Sequence, residues 1–343
     1  MGSPKPVGGL SAVFKLRAWK LALAGPSVFW YFPVFYALLT SSSSVDPIGL
    51  AMLFVVMIVS ASWGFLLNDL ADRRSDAASG RADAIHGHGL SGRTMLALTL
   101  ITAGFCWAVV FLLGGNYIFK GVLALNYLIA FLYSVPPMKL KVRGFWGFLA
   151  NSLMERPLPI LVFLSYMDYF RVETVLLPVL MELTWSVFKH QAADVHEDSA
   201  ANVRTFAVLL GEGRSESIVN HFLNPVSVLS LLSLIALAWV SIPTLGFSLA
   251  ACFTVTAAGV LAAAAIRRAG YVRRYFTPTD PPYIMALNLS YRYVLLPVMA
   301  YGVVLLSAPQ LPILVLLLIT LAYQGYAYVR MVRSYLKAPS PTS

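Results

Sequence analysis

The chain has 343 residues, of which 59% are hydrophobic and only 12% are charged, and its formal net charge is +10. A soluble globular domain does not carry this much apolar sequence, and apolar runs long enough to cross the ~30 Å hydrocarbon core of a bilayer recur along the whole chain. The composition predicts an all-α, multi-pass integral membrane protein in contact with membrane lipid. Its positive charge is then explained by topology rather than by binding to nucleic acid.

Ten apolar segments follow one another, with no linker that divides the chain into two domains. They span roughly residues 23–41, 47–67, 93–114, 118–135, 145–167, 173–193, 217–240, 244–266, 287–307 and 311–330. We therefore expect a bundle of nine or ten transmembrane helices. It forms a single domain over residues 1–343, with a core over about 15–307 and the last segment as an addition.

The positions of lysine and arginine predict the orientation of this bundle. Most of the 25 basic residues fall in every second loop or near the two termini. Short cytoplasmic loops concentrate positive charge. We therefore predict that both termini face the cytoplasm, together with the three longest polar stretches, 68–92, 194–216 and 267–286. The active site is expected on that side, under a cap formed by these loops.

The second apolar segment ends in a run of polar side chains, Asn68-Asp69-Leu70-Ala71-Asp72-Arg73-Arg74-Ser75-Asp76. If the helix continues through it, Asp69, Asp72 and Asp76 project within an arc of about 60°. Carboxylates this close repel one another and are best tolerated where cations neutralise them. Mg2+ prefers oxygen ligands and adds substrate phosphates to one or two carboxylates. Taken alone, the stretch is equally consistent with an acidic, solvated loop.

A second acidic motif ends the sixth apolar segment, at His190-Gln191-Ala192-Ala193-Asp194-Val195-His196-Glu197-Asp198. The spacing Asp194-x3-Asp198 repeats Asp72-x3-Asp76, and an arginine follows each motif. The repetition predicts two half-sites that face each other across a cavity and together hold a diphosphate through metal ions.

Together with Tyr133-Ser134-Val135-Pro136-Pro137-Met138-Lys139-Leu140-Lys141 after the fourth segment, these motifs resemble the UbiA superfamily of intramembrane prenyltransferases. The resemblance covers most of residues 15–305. It implies a helical bundle around a large central cavity, which opens sideways to lipid under cytoplasmic loops. It also implies bound Mg2+, a prenyl diphosphate donor with its tail in an apolar tunnel, and an allylic cation that a lipophilic or aromatic acceptor captures.

The predicted site combines metal ligands with phosphate-binding groups, because bridging metals and basic side chains best neutralise a diphosphate leaving group in a dry cavity. The expected metal ligands are Asp69, Asp72, Asp76, Asp194 and Asp198. The expected catalytic residues are Asp69, Asp72, Asp194, Asp198 and His190, although a structural hydrogen bond explains His190 at least as well. The expected diphosphate contacts are Asn68, Lys139, Lys141, Arg81, Arg143 and Arg204, although ordinary loop charge explains any single basic residue equally well.

Several polar residues fall inside the apolar segments, where exposure to lipid is costly, so they are expected to face the bundle interior. They are Asn126, Asn151, Glu155, Arg156, Glu182 and Lys189. We expect Glu155 and Arg156 to pair with partners on other helices. The two asparagines either line an acceptor pocket or bond neighbouring helices.

The leading functional prediction is Mg2+-dependent transfer of a prenyl group to an aromatic or quinone-precursor acceptor. A terpene cyclase on the same scaffold is the main alternative, because the loop 81–92 departs from the family pattern that shapes the acceptor entrance. Transfer to a sugar phosphate or glycerol phosphate would need further basic residues. A transporter is disfavoured, because the acidic groups cluster at helix ends rather than at mid-membrane breaks.

Overall fold

The computed structural model describes residues 13–14, 16–24, 27–41, 45–78, 89–200, 203–242, 254, 258, 291 and 295–306. Within this part of the chain the secondary structure is helical, without a β-strand. A 3₁₀ turn lies at Leu140–Val142 and a π-helical turn at Val219–Leu223. The α-helices are α1 (Arg17–Ala24), α2 (Ser27–Thr40), α3 (Pro47–Ala78), α4 (Gly92–Leu112), α5 (Tyr117–Ser134), α6 (Phe145–Glu155), α7 (Pro157–Tyr166), α8 (Glu173–Thr184), α9 (Val187–Ala193), α10 (Val195–Ala200), α11 (Phe206–Leu210), α12 (Glu212–Ile218), α13 (Asn224–Ser241) and α14 (Leu296–Leu306).

Four helical stretches are long and apolar enough to cross a membrane: Pro47–Arg74, Gly92–Leu112, Tyr117–Ser134 and Glu212–Ser241. Large apolar side chains on these stretches, such as Leu100, Phe111 and Val240, are exposed on the outside of the bundle. A surface of this kind is stable against lipid rather than water. The chain is an integral membrane protein, as predicted.

The predicted segments 47–67, 93–114, 118–135 and 217–240 correspond to the helical stretches that begin at Pro47, Gly92, Tyr117 and Glu212. The predicted segments 244–266 and 311–330 lie outside the described residues, apart from positions 254 and 258, and so do parts of 287–307 and of the expected loop cap. A total of nine or ten spanning helices therefore stays a prediction.

Two of the predicted apolar segments are each divided into two helices in the structure. Segment 145–167 divides at Arg156, whose φ of −132° and ψ of −60° are not helical. The cause is Pro157, which disfavours helical geometry in the residue before it and begins α7. Segment 173–193 divides at Trp185 and Ser186, where the Ser186 hydroxyl accepts from the Phe188 amide and caps α9.

The core lies where α2, α3 and α7 meet. Trp30, Phe54 and Phe163 are buried there, and the ring centroids of Phe54 and Phe163 are 4.4 Å apart. Helix α7 also packs against α5 and α8, and α1 packs along α3. This packing fixes α3, α5 and α6 around one cavity.

Candidate active site

A cavity of about 730 Å³ is enclosed mainly by α3, α5, α6 and α9. Its lining changes from charged to largely apolar and aromatic along these helices. With a helical rise of ~1.5 Å per residue, Met57 lies about 22 Å from Asp72 along α3. We call the charged part the mouth, lined by Asn68, Asp72, Asp76, Lys139, Lys141, His190, Asp194 and Asp198. We call the other part the inner end, lined by Phe29, Met57, Ser60, Asn126, Tyr127, Glu155 and Arg156.

Helix α3 continues through the first acidic motif and ends at Ala78. The prediction that the carboxylates of this motif share one face depended on this continuation. Asn68, Asp72 and Asp76 follow one another at four-residue intervals along that face and line the cavity. Asp69 lies at the edge of the same face, where α1 packs, and its side chain is fully buried and does not line the cavity. Two carboxylates of this motif, rather than three, therefore face the cavity.

Arg17 on α1 binds Asp69 and is itself a cavity residue. Its Nε donates to Asp69 Oδ1 at 3.1 Å and to Oδ2 at 3.3 Å, and its Nη2 donates to Oδ1 at 2.5 Å. Sequence reasoning missed this residue and treated it as ordinary cytoplasmic charge. The two partners are 52 positions apart, and the only available signal was a cation at the start of a short apolar helix.

The second acidic motif lies across the junction of α9 and α10. Helix α9 ends at Ala193, and the Asp198 amide donates to the Asp194 carbonyl oxygen at 2.8 Å. His190, Asp194 and Asp198 all line the cavity that also contains the first motif. His190 Nδ1 lies 3.4 Å from Asp194 Oδ2, so these two side chains are direct neighbours at the mouth.

The loop between α5 and α6 brings two lysines against Asp72. Lys141 contacts the Asp72 carboxylate directly and donates to Asn68 Oδ1 at 2.9 Å. Lys139 Nζ lies 3.2 Å from Asp72 Oδ1. Burial lowers the pKa of the Lys141 ammonium, and the Asp72 carboxylate opposes this effect. Both lysines neutralise the first motif at the mouth in this structure.

Gly144 connects this loop to the chain just after the second motif. Its amide donates to the Arg204 carbonyl oxygen at 3.0 Å, and Gly144 and Thr205 form an isolated parallel bridge. Gly144 has a φ of +55°, and a Cβ added to it would lie 2.3 Å from Leu209 Cδ1. Glycine is therefore required where the lysine loop meets the second motif.

Two of the predicted diphosphate contacts, Arg143 and Arg204, do not line the cavity. Arg143 Nη2 donates to the Pro137 carbonyl oxygen at 2.9 Å, so this side chain folds back on its own loop. The Arg204 side chain is exposed, and neither of these two arginines lines the cavity. Arg81 lies outside the described residues.

The donor set of the mouth fits a divalent cation that is shared with a ligand. In the part of the chain that the structure describes, no group of three or more His, Cys, Asp or Glu side chains is arranged to hold a metal by itself. The cavity presents two carboxylates from each motif, with the Asn68 amide beside the first pair. Mg2+ is usually held by one or two carboxylates plus water and substrate phosphates. These residues therefore fit Mg2+ bridged to a phosphate better than a metal enclosed by protein.

The inner end contains a buried ion network at the break between α6 and α7. Arg156 Nη1 donates to Glu182 Oε2 on α8 at 2.9 Å, and Arg156 Nη2 lies 3.4 Å from Glu155 Oε2. The prediction that Arg156 pairs with another helix is confirmed, whereas the partner of Glu155 is its own neighbour. Asn126 and Asn151 both line the cavity.

Aromatic rings complete the inner wall. The rings of Trp63 and Tyr127 stack with centroids 4.3 Å apart, and the Ser60 and Tyr127 hydroxyls share a hydrogen bond of 2.8 Å. The ring of Phe29 lies 4.6 Å from the guanidinium carbon of Arg156. An apolar chain can therefore lie against flat, polarisable surfaces at this end.

The fold and the cavity define a helical membrane protein whose cavity has a charged mouth and a largely aromatic and apolar inner end with one buried ion network. A model of the UbiA prenyltransferase family matches residues 27–290, and the chain belongs to this family. No curated protein sequence matches the chain.

Solved structures of a UbiA homologue from Archaeoglobus fulgidus share the fold. The one bound to DMAPP and Mg2+ is 14% identical, covers 86% of this chain and 99% of its own, and has a TM-score of 0.57. The one bound to Cd2+ is 16% identical, covers 84% and 99%, and has a TM-score of 0.53. The one bound to GPP and Mg2+ is 17% identical, covers 84% and 99%, and has a TM-score of 0.51.

Proposed function

We propose that the chain is a Mg2+-dependent prenyltransferase, which moves a prenyl group from a prenyl diphosphate to a lipophilic or aromatic acceptor at the cytoplasmic side of the membrane. One observation carries this proposal: two acidic motifs, 122 positions apart when Asp72 and Asp194 are compared, line one cavity whose other end carries aromatic and apolar side chains around one buried ion network. A charged diphosphate and a hydrocarbon chain need this pair of environments in one molecule. DMAPP and GPP, the ligands of the Archaeoglobus homologue, belong to the donor class we propose.

Asp72, Asp76, Asp194 and Asp198 are the proposed metal ligands, two from each motif. Bound Mg2+ would supply charge neutralisation for the diphosphate as the C–O bond breaks. Asp69 stays a predicted ligand and catalytic residue. Because Arg17 holds its carboxylate, a role as ligand would require Asp69 to leave Arg17 when metal binds.

Lys139 and Lys141 are the proposed diphosphate contacts, together with Asn68. A bound metal ion would take over the neutralisation of Asp72, which would free both ammonium groups for phosphate oxygens. Arg17 joins this set because it reaches the same cavity. Arg81, Arg143 and Arg204 stay predicted contacts, and the present positions of Arg143 and Arg204 would require their side chains to turn inward.

The bond to the diphosphate breaks with its electron pair on the leaving oxygen, and an allylic cation remains. The walls of Trp63 and Tyr127 offer π faces to this cation and exclude water from it. His190 contacts Asp194 at the mouth, and we propose that it orients this carboxylate or accepts a proton there.

The experiment is product analysis of the purified protein in detergent. Dimethylallyl, geranyl, farnesyl and geranylgeranyl diphosphates are each supplied with and without Mg2+, and with and without a panel of aromatic acceptors. We expect diphosphate release that needs Mg2+ and is lost in an Asp72→Ala, Asp194→Ala double variant. Prenylated acceptor identifies a transferase, whereas hydrocarbons or alcohols formed without acceptor identify the cyclase alternative. A folded wild type that releases no diphosphate from any of these donors would contradict the proposal.

A further inference from the structure

We propose that the break between α6 and α7 is the acceptor subsite and that the Glu155 carboxylate recognises the acceptor. The inferred acceptor carries a hydroxyl or N–H group that donates to Glu155, and it is not a carboxylate. This inference rests on the proposed function and names the acceptor class for the same cavity.

Glu155 is placed inside the cavity by the geometry of α6. It is the last residue of this helix, about 15 Å along the axis from Phe145 at a rise of ~1.5 Å per residue. Its side chain lines the cavity and is 35% exposed to it. Its backbone is held by α2, because Trp30 Nε1 donates to the Glu155 carbonyl oxygen at 3.3 Å. The backbone that carries the carboxylate is therefore anchored at the inner wall.

The charges around Glu155 disfavour an anionic acceptor. Arg156 is the only cation that the structure places in this network, and it contacts two carboxylates, Glu182 at 2.9 Å and Glu155 at 3.4 Å. Two carboxyl groups therefore share this single guanidinium, and the closer one, Glu182, takes most of its charge. A second carboxylate brought here would be repelled strongly, because the low dielectric of a membrane interior screens charges poorly.

Unpartnered atoms in the same wall indicate that a polar ligand binds here. Arg156 is 7% exposed, and its Nε is buried without a hydrogen-bond partner among the described residues. The buried Asn126 Oδ1 also accepts no hydrogen bond from that part of the chain. Such atoms cost free energy unless a partner arrives. A hydroxyl group that donates its single hydrogen to Glu155 keeps its oxygen free to accept from Arg156 Nε.

Tyr133 relates the subsite to the diphosphate end of the cavity. It lines the same cavity as Asp72 and Asp198 at the mouth and Glu155 at the inner end. An acceptor held by Glu155 therefore shares one continuous cavity with the donor.

The group transfer balances without a further reactant. The C–O bond to diphosphate breaks, and its electron pair leaves with the diphosphate. A new bond forms between the allylic carbon and a ring carbon, oxygen or nitrogen of the acceptor. The proton that the acceptor loses passes to the Glu155 carboxylate and from there to water.

The test compares Glu155→Gln with Glu173→Gln, the same substitution at a glutamate that contacts Tyr36 and does not line the cavity. The acceptors are 4-methylphenol and 4-hydroxybenzoic acid, which share a phenol and differ in a carboxylate. We expect wild type and Glu173→Gln to prefer 4-methylphenol. In Glu155→Gln, kcat for transfer to 4-methylphenol should fall about 100-fold, the scale of a lost general base. The preference for 4-methylphenol should also disappear in Glu155→Gln.

Glu155→Asp is a second variant that keeps the negative charge. Thermal unfolding of each variant shows whether it is folded. Glu155→Asp should keep the preference for 4-methylphenol with a raised KM. Unchanged transfer in Glu155→Gln would overturn the inference. A wild type that prefers 4-hydroxybenzoic acid would also overturn it, and so would a wild type that releases diphosphate without prenylating either phenol. A wild type that releases no diphosphate at all would instead contradict the proposed function.

Discussion

The mouth and the inner end of the cavity both hold buried charge, but they hold it in different ways. At the mouth, Lys139 and Lys141 come from a loop and neutralise Asp72, which lies on a helix. At the inner end, Arg156 is fixed between two helices by Glu182 and covered by the Phe29 ring. The first arrangement can exchange partners when a metal ion and a phosphate arrive, whereas in the second the Arg156–Glu182 ion pair stays in place.

This difference separates two tasks that one cavity must perform. A diphosphate leaving group needs mobile cations that can follow its developing charge. A reactive cation and its acceptor need a dry, fixed wall. Changes at the mouth should therefore affect donor binding and ionisation, and changes at the inner end should affect stability or the choice of acceptor.

The largest effect is expected from the carboxylates of the mouth. Asp72→Asn and Asp194→Asn should each lower Mg2+-dependent diphosphate release by about 10³-fold, because each removes a metal ligand. Asp46→Asn is the matched control: Asp46 accepts from the Ile48 and Gly49 amides at the start of α3, and asparagine caps helices as well. Steady-state assays of diphosphate release measure these losses. An equal loss in Asp46→Asn would show that the losses do not come specifically from the mouth.

The next largest effect is expected from Arg156 and falls on stability. Arg156→Leu should lower the free energy of unfolding by about 3–5 kcal/mol, because it leaves the Glu182 carboxylate buried without its cation. An Arg156→Leu, Glu182→Leu double variant should recover most of this loss. Unfolding in detergent, followed by circular dichroism, measures both. If the double variant were the less stable of the two, the fixed ion pair would not be the reason for the loss.

A smaller effect is expected from Lys141. Lys141→Gln should raise the KM for prenyl diphosphate about tenfold, equivalent to about 1.4 kcal/mol. Arg143→Gln, two positions further on, should change KM little, because Arg143 bonds the Pro137 carbonyl oxygen outside the cavity. Initial rates at varied donor concentration compare the two. An Arg143 effect larger than the Lys141 effect would mean that the loop rearranges when donor binds.

The smallest effect is expected from Gly144. Gly144→Ala should lower the free energy of unfolding by about 1 kcal/mol, because alanine is strained at positive φ. Its added Cβ would also press on Leu209. Gly213→Ala is the control, since nothing lies within 4 Å of its added Cβ and alanine favours the helix there. Denaturant titration of both variants should show a loss at Gly144 and none at Gly213.

The sequence predicted features that depend on local periodicity. Asp72 and Asp76 could be placed on one face because helical spacing fixes their directions once α3 continues through them. The break at Arg156 was also encoded locally, in Pro157, although the apolar pattern hid it. The break at Trp185 has no proline to mark it and was not predictable in this way.

Long-range packing is what the sequence could not supply. Periodicity placed Asp69 with the other carboxylates, but α1 packs against that edge of the face and Arg17 takes Asp69. Nothing in either local sequence links positions 52 apart. The same holds for Gly144 and Arg204, whose backbone contact connects the lysine loop to the second motif.

The most direct test of two half-sites acting together is a binding cycle with an unreactive donor. The affinity of geranyl thiolodiphosphate is measured by calorimetry with and without Mg2+, for wild type, Asp72→Asn, Asp194→Asn and the double variant. If the motifs hold one diphosphate through shared metal ions, either single variant should lose nearly all of the Mg2+-dependent affinity, and the double variant should lose little more. Independent, additive losses, or tight binding that does not need Mg2+, would contradict this arrangement.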